Sequence, residues 1–351
     1  MIKSPLKVIF FRIGAIGDVL LTTPAVKLFK EKHPDSIVHY YAGPKAAEIL
    51  RHNPYIDKII IFNETHHKLS RFLRVLAMSG AIKKSLNNET YDIFFDFESS
   101  YYSAYISMCV KTKHKIGFKL TDPRRAFLNT LYKTRVTYFQ GNTYIALRFL
   151  ALLNAFETYT SPSVIKPILH LAPEEVEKAS LFYSALSIAP SDYKILFSIS
   201  GTWPTKKWPV SHWIILANLL NHLRTPHPIK IIILWGPGDE ADVKLIRDAA
   251  YENVYFIPAC GLRDLAGITG AGHLLVGNDT GVRHIANALG VPVIGLFGPT
   301  NEKGWAYEAK DSVVMTSNVP CRPCDKTNCA DTICMKNITA EAVLEKIKLF
   351  L

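Results

Sequence analysis

The chain has 351 residues, of which 48% are hydrophobic and 20% charged. That is too long for one small core and suits two globular domains. A polar start (1–7), a longest uncharged run (284–301) broken by prolines and glycines, and six cysteines with four clustered together argue against a signal peptide, a membrane span and a secreted disulfide framework.

Net charge is +11 and uneven. Residues 1–170 carry 24 Lys+Arg against 12 Asp+Glu, a net of +12; residues 171–351 carry 17 against 18, a net of −1. The first half is therefore expected to face a polyanion: nucleic acid, an acidic membrane surface or a phosphorylated glycolipid. Solubility alone is the plainer account of the same charge.

Residues 7–11 (KVIFF) read as a strand, followed by Arg12-Ile13-Gly14-Ala15-Ile16-Gly17-Asp18 and a helix. Strand, glycine loop and helix form the first unit of a parallel α/β sheet. The loop is neither a Walker loop nor the dinucleotide fingerprint, because its spacing is Gly-x-x-Gly-Asp. Asp18 would repel a phosphate at that helix start, so it is either a helix-capping acid or a proton acceptor. Further strands are expected at 37–42, 58–62 and 91–97, with a basic amphipathic helix at 69–86 and helices at 99–110 and 140–156. Residues 111–115 (KTKHK) and 122–125 (DPRR) read as basic loops. Residues 161–173, rich in Ser and Pro, read as a linker.

A helix at 174–186 leads to a second α/β unit, with strands at 194–198, 230–235, 273–277 and 291–297. After the first comes Ser200-Gly201-Thr202 with Lys206 and Lys207, a plausible phosphate cradle, and Ser211 is placed to cap the next helix. After the second come Asp239 and Glu240, either ribose contacts or helix caps. After the third comes Asn278-Asp279-Thr280-Gly281, where a helix starts and offers unpaired amides to an anion. A capped turn accounts for Asn and Asp there equally well. Lys206, Asp239, Asp279, Thr280 and Thr300 all fall just past strand ends, and that convergence favours a nucleotide site. Cys321, Cys324, Cys329 and Cys334 allow a zinc site, disulfides or plain thiols.

Several stretches resemble the lipopolysaccharide heptosyltransferase family: Arg12-x-Gly-Ala-x-Gly-Asp18, Lys206-x-Trp208-Pro209, Gly277-Asn278-Asp279-Thr280-Gly281-x-x-His284 and Leu296-Phe297-Gly298-Pro299-Thr300. Their order and spacing agree over nearly the whole chain. The resemblance implies a GT-B glycosyltransferase, with two Rossmann-like domains whose parallel sheets face across a cleft. Residues 1–170 would bind the acceptor, 171–335 the nucleotide sugar, and a helix at 336–351 would pack back on the first domain. The implied reaction moves heptose from ADP-heptose to the lipopolysaccharide inner core, with inversion and without a catalytic metal or cofactor.

Carried over residue by residue, Asp18 matches the general base and Lys206 the lysine on the donor phosphates. Thr280 and Gly281 match the pyrophosphate amides, and Asp279 the holder of donor sugar hydroxyls, with His284 closing that motif. Thr202 matches a phosphate-binding threonine, and Asp239 or Glu240 the ribose contact. Arg12, Lys113, Lys115, Arg124 and Arg125 are the basic residues expected to meet acceptor phosphates. The implied partners are the nucleotide-sugar donor, a phosphorylated lipid A–core acceptor and the cytoplasmic face of the inner membrane. The open rivals are another nucleotide-sugar transferase, a nucleotide-sugar epimerase, and a basic nucleic-acid binder with a zinc knuckle. The last leaves Asp18, Lys206 and Asp279 without a role.

Overall fold

The computed structural model describes residues 5–62, 80, 82–86, 88–98, 100–137, 143–160, 165–249, 251–307 and 309–351. Most of the basic helix expected at 69–86, and the start of the linker, lie outside them. The chain divides into two compact units, Met1–His170 and Leu171–Leu351.

Each unit is a six-stranded sheet. The first has β1 (Lys7–Phe11), β2 (Ile37–Ala42), β3 (Lys58–Ile61), β4 (Thr90–Asp96), β5 (Lys111–Phe118) and β6 (Thr134–Val136), in the order β3-β2-β1-β4-β5-β6. The second has β7 (Tyr193–Ser198), β8 (Ile229–Leu234), β9 (Val254–Phe256), β10 (Leu274–Asn278), β11 (Val293–Phe297) and β12 (Ser312–Thr316), in the order β12-β11-β10-β7-β8-β9. Followed from its β9 edge, the second order repeats the first. All pairings between these strands are parallel. This is the doubly wound order, in which winding reverses between β1 and β4 and again between β7 and β10. A crevice opens beyond the strand ends at each reversal.

Continuous apolar strands such as β8 (IKIIIL) form because both faces of such a sheet are covered. Ile231 and Ile233 pack on the side of Trp213 and Leu216, Ile232 and Leu234 on the side of Ile257 and Ile268. In the first unit the central strands carry aromatics instead, with Phe10 stacked on Phe95 at 5.0 Å.

Two expectations give way. Residues 111–115 form the first half of β5, not a loop. Its polar half lacks the apolar alternation that marks a strand, because both of its faces there carry Lys, Thr or His. Ser211 lies inside the helix Val210–Asn221, whose start has no side-chain cap. The last helix, Ala340–Ile347, buries Val343, Leu344 and Ile347 in the core of the second unit, against the helix Val210–Asn221.

Candidate active site

In the second unit the strands end almost level. Gly277 of β10 is in register with Ser198 of β7 and Gly295 of β11, and Ser198 with Leu234 of β8. The loops that follow therefore start from one rim. Fully buried Asn278 ties two of them together. Its Nδ2 donates to Ile199 O at 2.8 Å, and its Oδ1 accepts from Trp208 N at 3.1 Å. The loop that carries Lys206 is thus moored to the end of β10.

Asp279 is the centre of the site and is 5% exposed. Its Oδ2 accepts from Lys206 Nζ at 2.8 Å and from Thr300 Oγ1 at 2.9 Å. Its Oδ1 accepts from Arg283 Nη2 at 3.1 Å. Burial opposes ionisation of this carboxyl, but Arg283 and Lys206 outweigh it and hold its pKa at about 2. The Lys206 ammonium also lies 4.6 Å from the centre of the Trp203 ring. The neighbouring Lys207 turns elsewhere, so the two adjacent lysines have separate tasks.

Thr280 precedes the helix Gly281–Leu289 with extended backbone and makes no side-chain cap. Its Oγ1 is buried without a hydrogen-bond partner. The first amides of that helix are therefore left uncapped by a side chain, beside a lysine, in the pattern that receives a phosphate. The Gly298-Pro299-Thr300 turn is clasped from behind by Arg322, whose Nε donates to Gly298 O at 2.9 Å and which pairs with Glu302 at 2.9 Å.

Sequence left open which acid after β8 meets a ribose, and geometry separates the two. Asp239 is buried and occupied: Oδ2 accepts from Ser200 Oγ at 2.5 Å and Gly236 N at 3.1 Å, and Oδ1 from Lys207 at 2.5 Å. It ties two loops together and is not presented to a ligand. Glu240 is exposed and, among the described residues, accepts only from Gly238 N, at 2.9 Å. Thr202 is exposed on the Lys206 loop, while Thr205 is buried and donates to Lys326 O at 2.7 Å.

His284 is 3% exposed and lies beside Arg283. Burial first, then Arg283, pushes its pKa well below the usual value, so the ring is neutral. Arg283 Nη2 stands 3.2 Å from Nε2.

In the first unit, Asp18 stands in the first turn of the helix Ile16–Leu20, past the end of β1. Its Oδ2 accepts from Ala15 N at 3.2 Å and lies 3.3 Å from Arg12 Nη2, and its side chain keeps 18% exposure. Arg12 is itself clamped across the reversal: Nη1 donates to Phe97 O at 2.7 Å, and Nε lies 3.5 Å from Glu98 Oε2. Glu98 Oε2 also accepts from Ile13 N at 3.2 Å. Arg12 therefore holds Asp18 in place and is not a free cation for an acceptor.

Of the other expected acceptor residues, Arg124 and Arg125 follow the end of β5, on the rim that carries Asp18. Both pair with Asp122, and Arg125 lies 4.2 Å over the Tyr101 ring. Lys113 is on the opposite rim. It bonds Asp92 at 2.7 Å, which in turn accepts from the backbone of Lys7 at the start of β1. Five residues separate Lys113 from the end of β5 at Phe118, roughly 16 Å of strand. Lys115 sits mid-strand and half-buried, beside Cys109. Neither lysine follows a strand end.

All six cysteines are free thiols, and among the described residues no group of three or more His, Cys, Asp or Glu is placed to hold a metal. The cysteine loop docks instead on the Pro299 turn, with Cys324 N donating to Pro299 O at 2.8 Å. Sequence reading passed over two residues of the site. Arg283 is four residues after Asp279, the spacing of a helical ion pair, and that signal was available. Glu98 carries no local signal, since it meets Arg12 only through the β1–β4 pairing.

The model of glycosyltransferase family 9 (heptosyltransferase) matches residues 79–333. Lipopolysaccharide heptosyltransferase 1 of Campylobacter coli is 22% identical over 98% of both chains. Lipopolysaccharide heptosyltransferase 1 of Pseudomonas aeruginosa is 25% identical, over 92% of this chain and 87% of its own. A family 9 glycosyl transferase from Veillonella parvula superposes with a TM-score of 0.84 at 20% identity, covering 99% of this chain and 97% of its own. Heptosyltransferase WaaC of E. coli with ADP-2-deoxy-2-fluoro heptose does so with 0.74 at 20%, covering 98% and 99%. At that identity the two structures carry the fold, which is the α/β GT-B class expected from the sequence. The family model spans more than half the chain, and the chain therefore belongs to glycosyltransferase family 9 (heptosyltransferase) and is a glycosyltransferase.

Proposed function

We propose that the chain transfers a heptose from ADP-heptose to the inner core of lipopolysaccharide, with inversion at the anomeric carbon. The observation that carries this reading is the Lys206–Asp279 pair beside the uncapped start of the helix Gly281–Leu289, in a family 9 chain. The relatives named lipopolysaccharide heptosyltransferase support both donor and acceptor. The α- and β-phosphates lie on the amides of Thr280 and Gly281, with Thr202 beside them and Lys206 neutralising the departing ADP. Asp279 accepts from sugar hydroxyls, and Glu240 accepts from the ribose.

Asp18 takes the proton of the attacking hydroxyl. The acceptor oxygen bonds to the anomeric carbon from the face opposite the pyrophosphate as the bond to ADP breaks, which inverts that carbon. Charge stabilisation comes from Lys206 and the helix amides, so no metal is required and a chelator leaves the rate unchanged. Arg124 and Arg125 meet phosphates of the glycolipid, and the positive first half favours the anionic inner-membrane surface on the cytoplasmic side. Among the described residues no helix is long and apolar enough to cross a membrane, which fits peripheral contact.

The test is ADP release from ADP-heptose, with and without heptose-deficient lipopolysaccharide. Acceptor-dependent release supports the reading. Conversion of the donor to an isomer without acceptor would replace it with an epimerase, and tight ADP binding without release would point to another sugar.

A further inference from the structure

Arg283 occupies a position that the Asp279–His284 motif leaves open, yet the site is built around it. It is 1% exposed, and its Nη2 donates to Asp279 Oδ1 at 3.1 Å and to Trp305 O at 3.1 Å. Its guanidinium lies 4.8 Å over the Phe297 ring. Gly295 makes room for it: a Cβ there would come within 2.9 Å of Arg283 Cδ. Two alternate positions of β11, Gly295 and Phe297, and the helix start are thus shaped to seat one arginine.

The seat matters because of what happens to Lys206. In the structure Lys206 and Arg283 both pair with Asp279, on different oxygens. A bound pyrophosphate draws the Lys206 ammonium toward itself. A buried carboxylate left without a cation takes up a proton, and a protonated carboxyl no longer offers two accepting oxygens. Arg283 has no path to the ligand, so it stays. The groups facing Asp279 are Arg283 and His284 from the helix that follows it, Lys206 from the loop after β7 and Thr300 from the turn after β11. His284 is neutral and Thr300 uncharged, so Arg283 is the remaining charge among them once Lys206 turns to the phosphates.

We propose that Arg283 is a positioning residue of the transfer reaction: it holds Asp279 by Oδ1 and keeps Oδ2 as an accepting oxygen for the donor sugar while Lys206 serves the pyrophosphate. This rests on Asp279 as the residue that receives the sugar hydroxyls. Arg283 itself touches no substrate.

The test compares wild type, Arg283→Lys, Arg283→Met and Asp279→Asn, each first checked by melting temperature and ADP binding. Carbon NMR of protein labelled at the aspartate carboxyls follows Asp279 with pH, its resonance assigned by its loss in Asp279→Asn. Arg283→Met should move that titration to higher pH, and Arg283→Lys should bring it part of the way back. In acceptor-dependent ADP release, Arg283→Met should raise the donor KM about tenfold or more. It should also add a worsening of KM toward acid that wild type and Asp279→Asn both lack. A merely structural arginine would lower the melting temperature without creating that limb. An unchanged Asp279 titration in Arg283→Met, with donor KM unchanged in size and pH dependence, overturns the proposal. If wild type releases no ADP from ADP-heptose, the donor assignment fails while the NMR titration still decides whether Arg283 governs Asp279. If Arg283→Met does not fold, Arg283→Lys, which cannot reach Asp279 and Trp305 together, is read by the same measurements.

Discussion

The two units have one strand order and opposite chemistry at the same place in it. At the β1–β4 reversal, two carboxylates, Asp18 and Glu98, surround one clamped arginine, and Asp18 keeps an open side. At the β7–β10 reversal the carboxylate is enclosed: Asp279 is buried under two cations and a hydroxyl, and an uncapped helix start stands next to it. The doubly wound sheet supplies a crevice in both cases and specifies no charge. Loop residues decide that one crevice presents a partly open carboxylate and the other an enclosed one beside an uncapped helix start. Net charge runs the other way, +12 in residues 1–170 and −1 in residues 171–351, so the bulk charge of a unit does not reveal the polarity of its site.

The contrast is open to direct tests. Asp18→Ala should lower acceptor-dependent ADP release about a thousandfold or more while ADP affinity stays put, since a positioned base contributes on the order of a hundred- to ten-thousandfold. Release that survives in the variant would remove Asp18 from the chemistry and leave the first reversal a structural knot. Lys206→Ala should slow release by roughly a hundred- to a thousandfold, and unlike the Asp18 variant it should also weaken ADP binding, measured by calorimetry. Equal losses of ADP affinity in both variants would erase the division of labour.

Asp279 offers a pH test that needs no substrate. Its folded pKa of about 2 lies below the ordinary value, so its ion pairs stabilise the protein above about pH 4 and lose that effect as pH falls toward 2. Melting curves of wild type and Asp279→Asn should therefore differ most near neutrality and draw together in acid. A constant gap would show that the pairing does not set the stability of the site.

A smaller effect separates the two acids after β8. Asp239→Asn should lower the melting temperature, by roughly 1–3 kcal/mol of stability, because Lys207 loses the nearer of its two carboxylates and Ser200 a charged acceptor. Glu240→Gln should leave the melting temperature alone and weaken ADP binding a few-fold. The reverse pattern would return the ribose to Asp239. The smallest effect is expected at Lys113→Ala, whose exposed pair with Asp92 is worth under about 1 kcal/mol and lies away from the Asp18 rim. A marked rise in acceptor KM there would put the lysine in the acceptor set.

By itself the sequence determined the paired α/β architecture and the position of the loops that follow the strand ends. Apolar runs with glycine-rich exits are local signals, and strand ends in a parallel sheet are where such loops meet ligands. The same local logic singled out Asp18, Lys206, Asp279 and the helix start after Thr280. It went astray where a residue's role depends on what lies across from it. Lys113 carries the same charge as Arg124, and only the β4–β5 register puts it at the far end of the sheet. Asp239 and Glu240 are adjacent acids, and only the approach of Ser200 and Lys207 makes one a brace and leaves the other exposed. Arg12 looks like a ligand cation until β4 brings Glu98 beside it. Spacing and composition are carried along the chain, whereas partner and burial arise between segments far apart in it, and tertiary structure alone decides those.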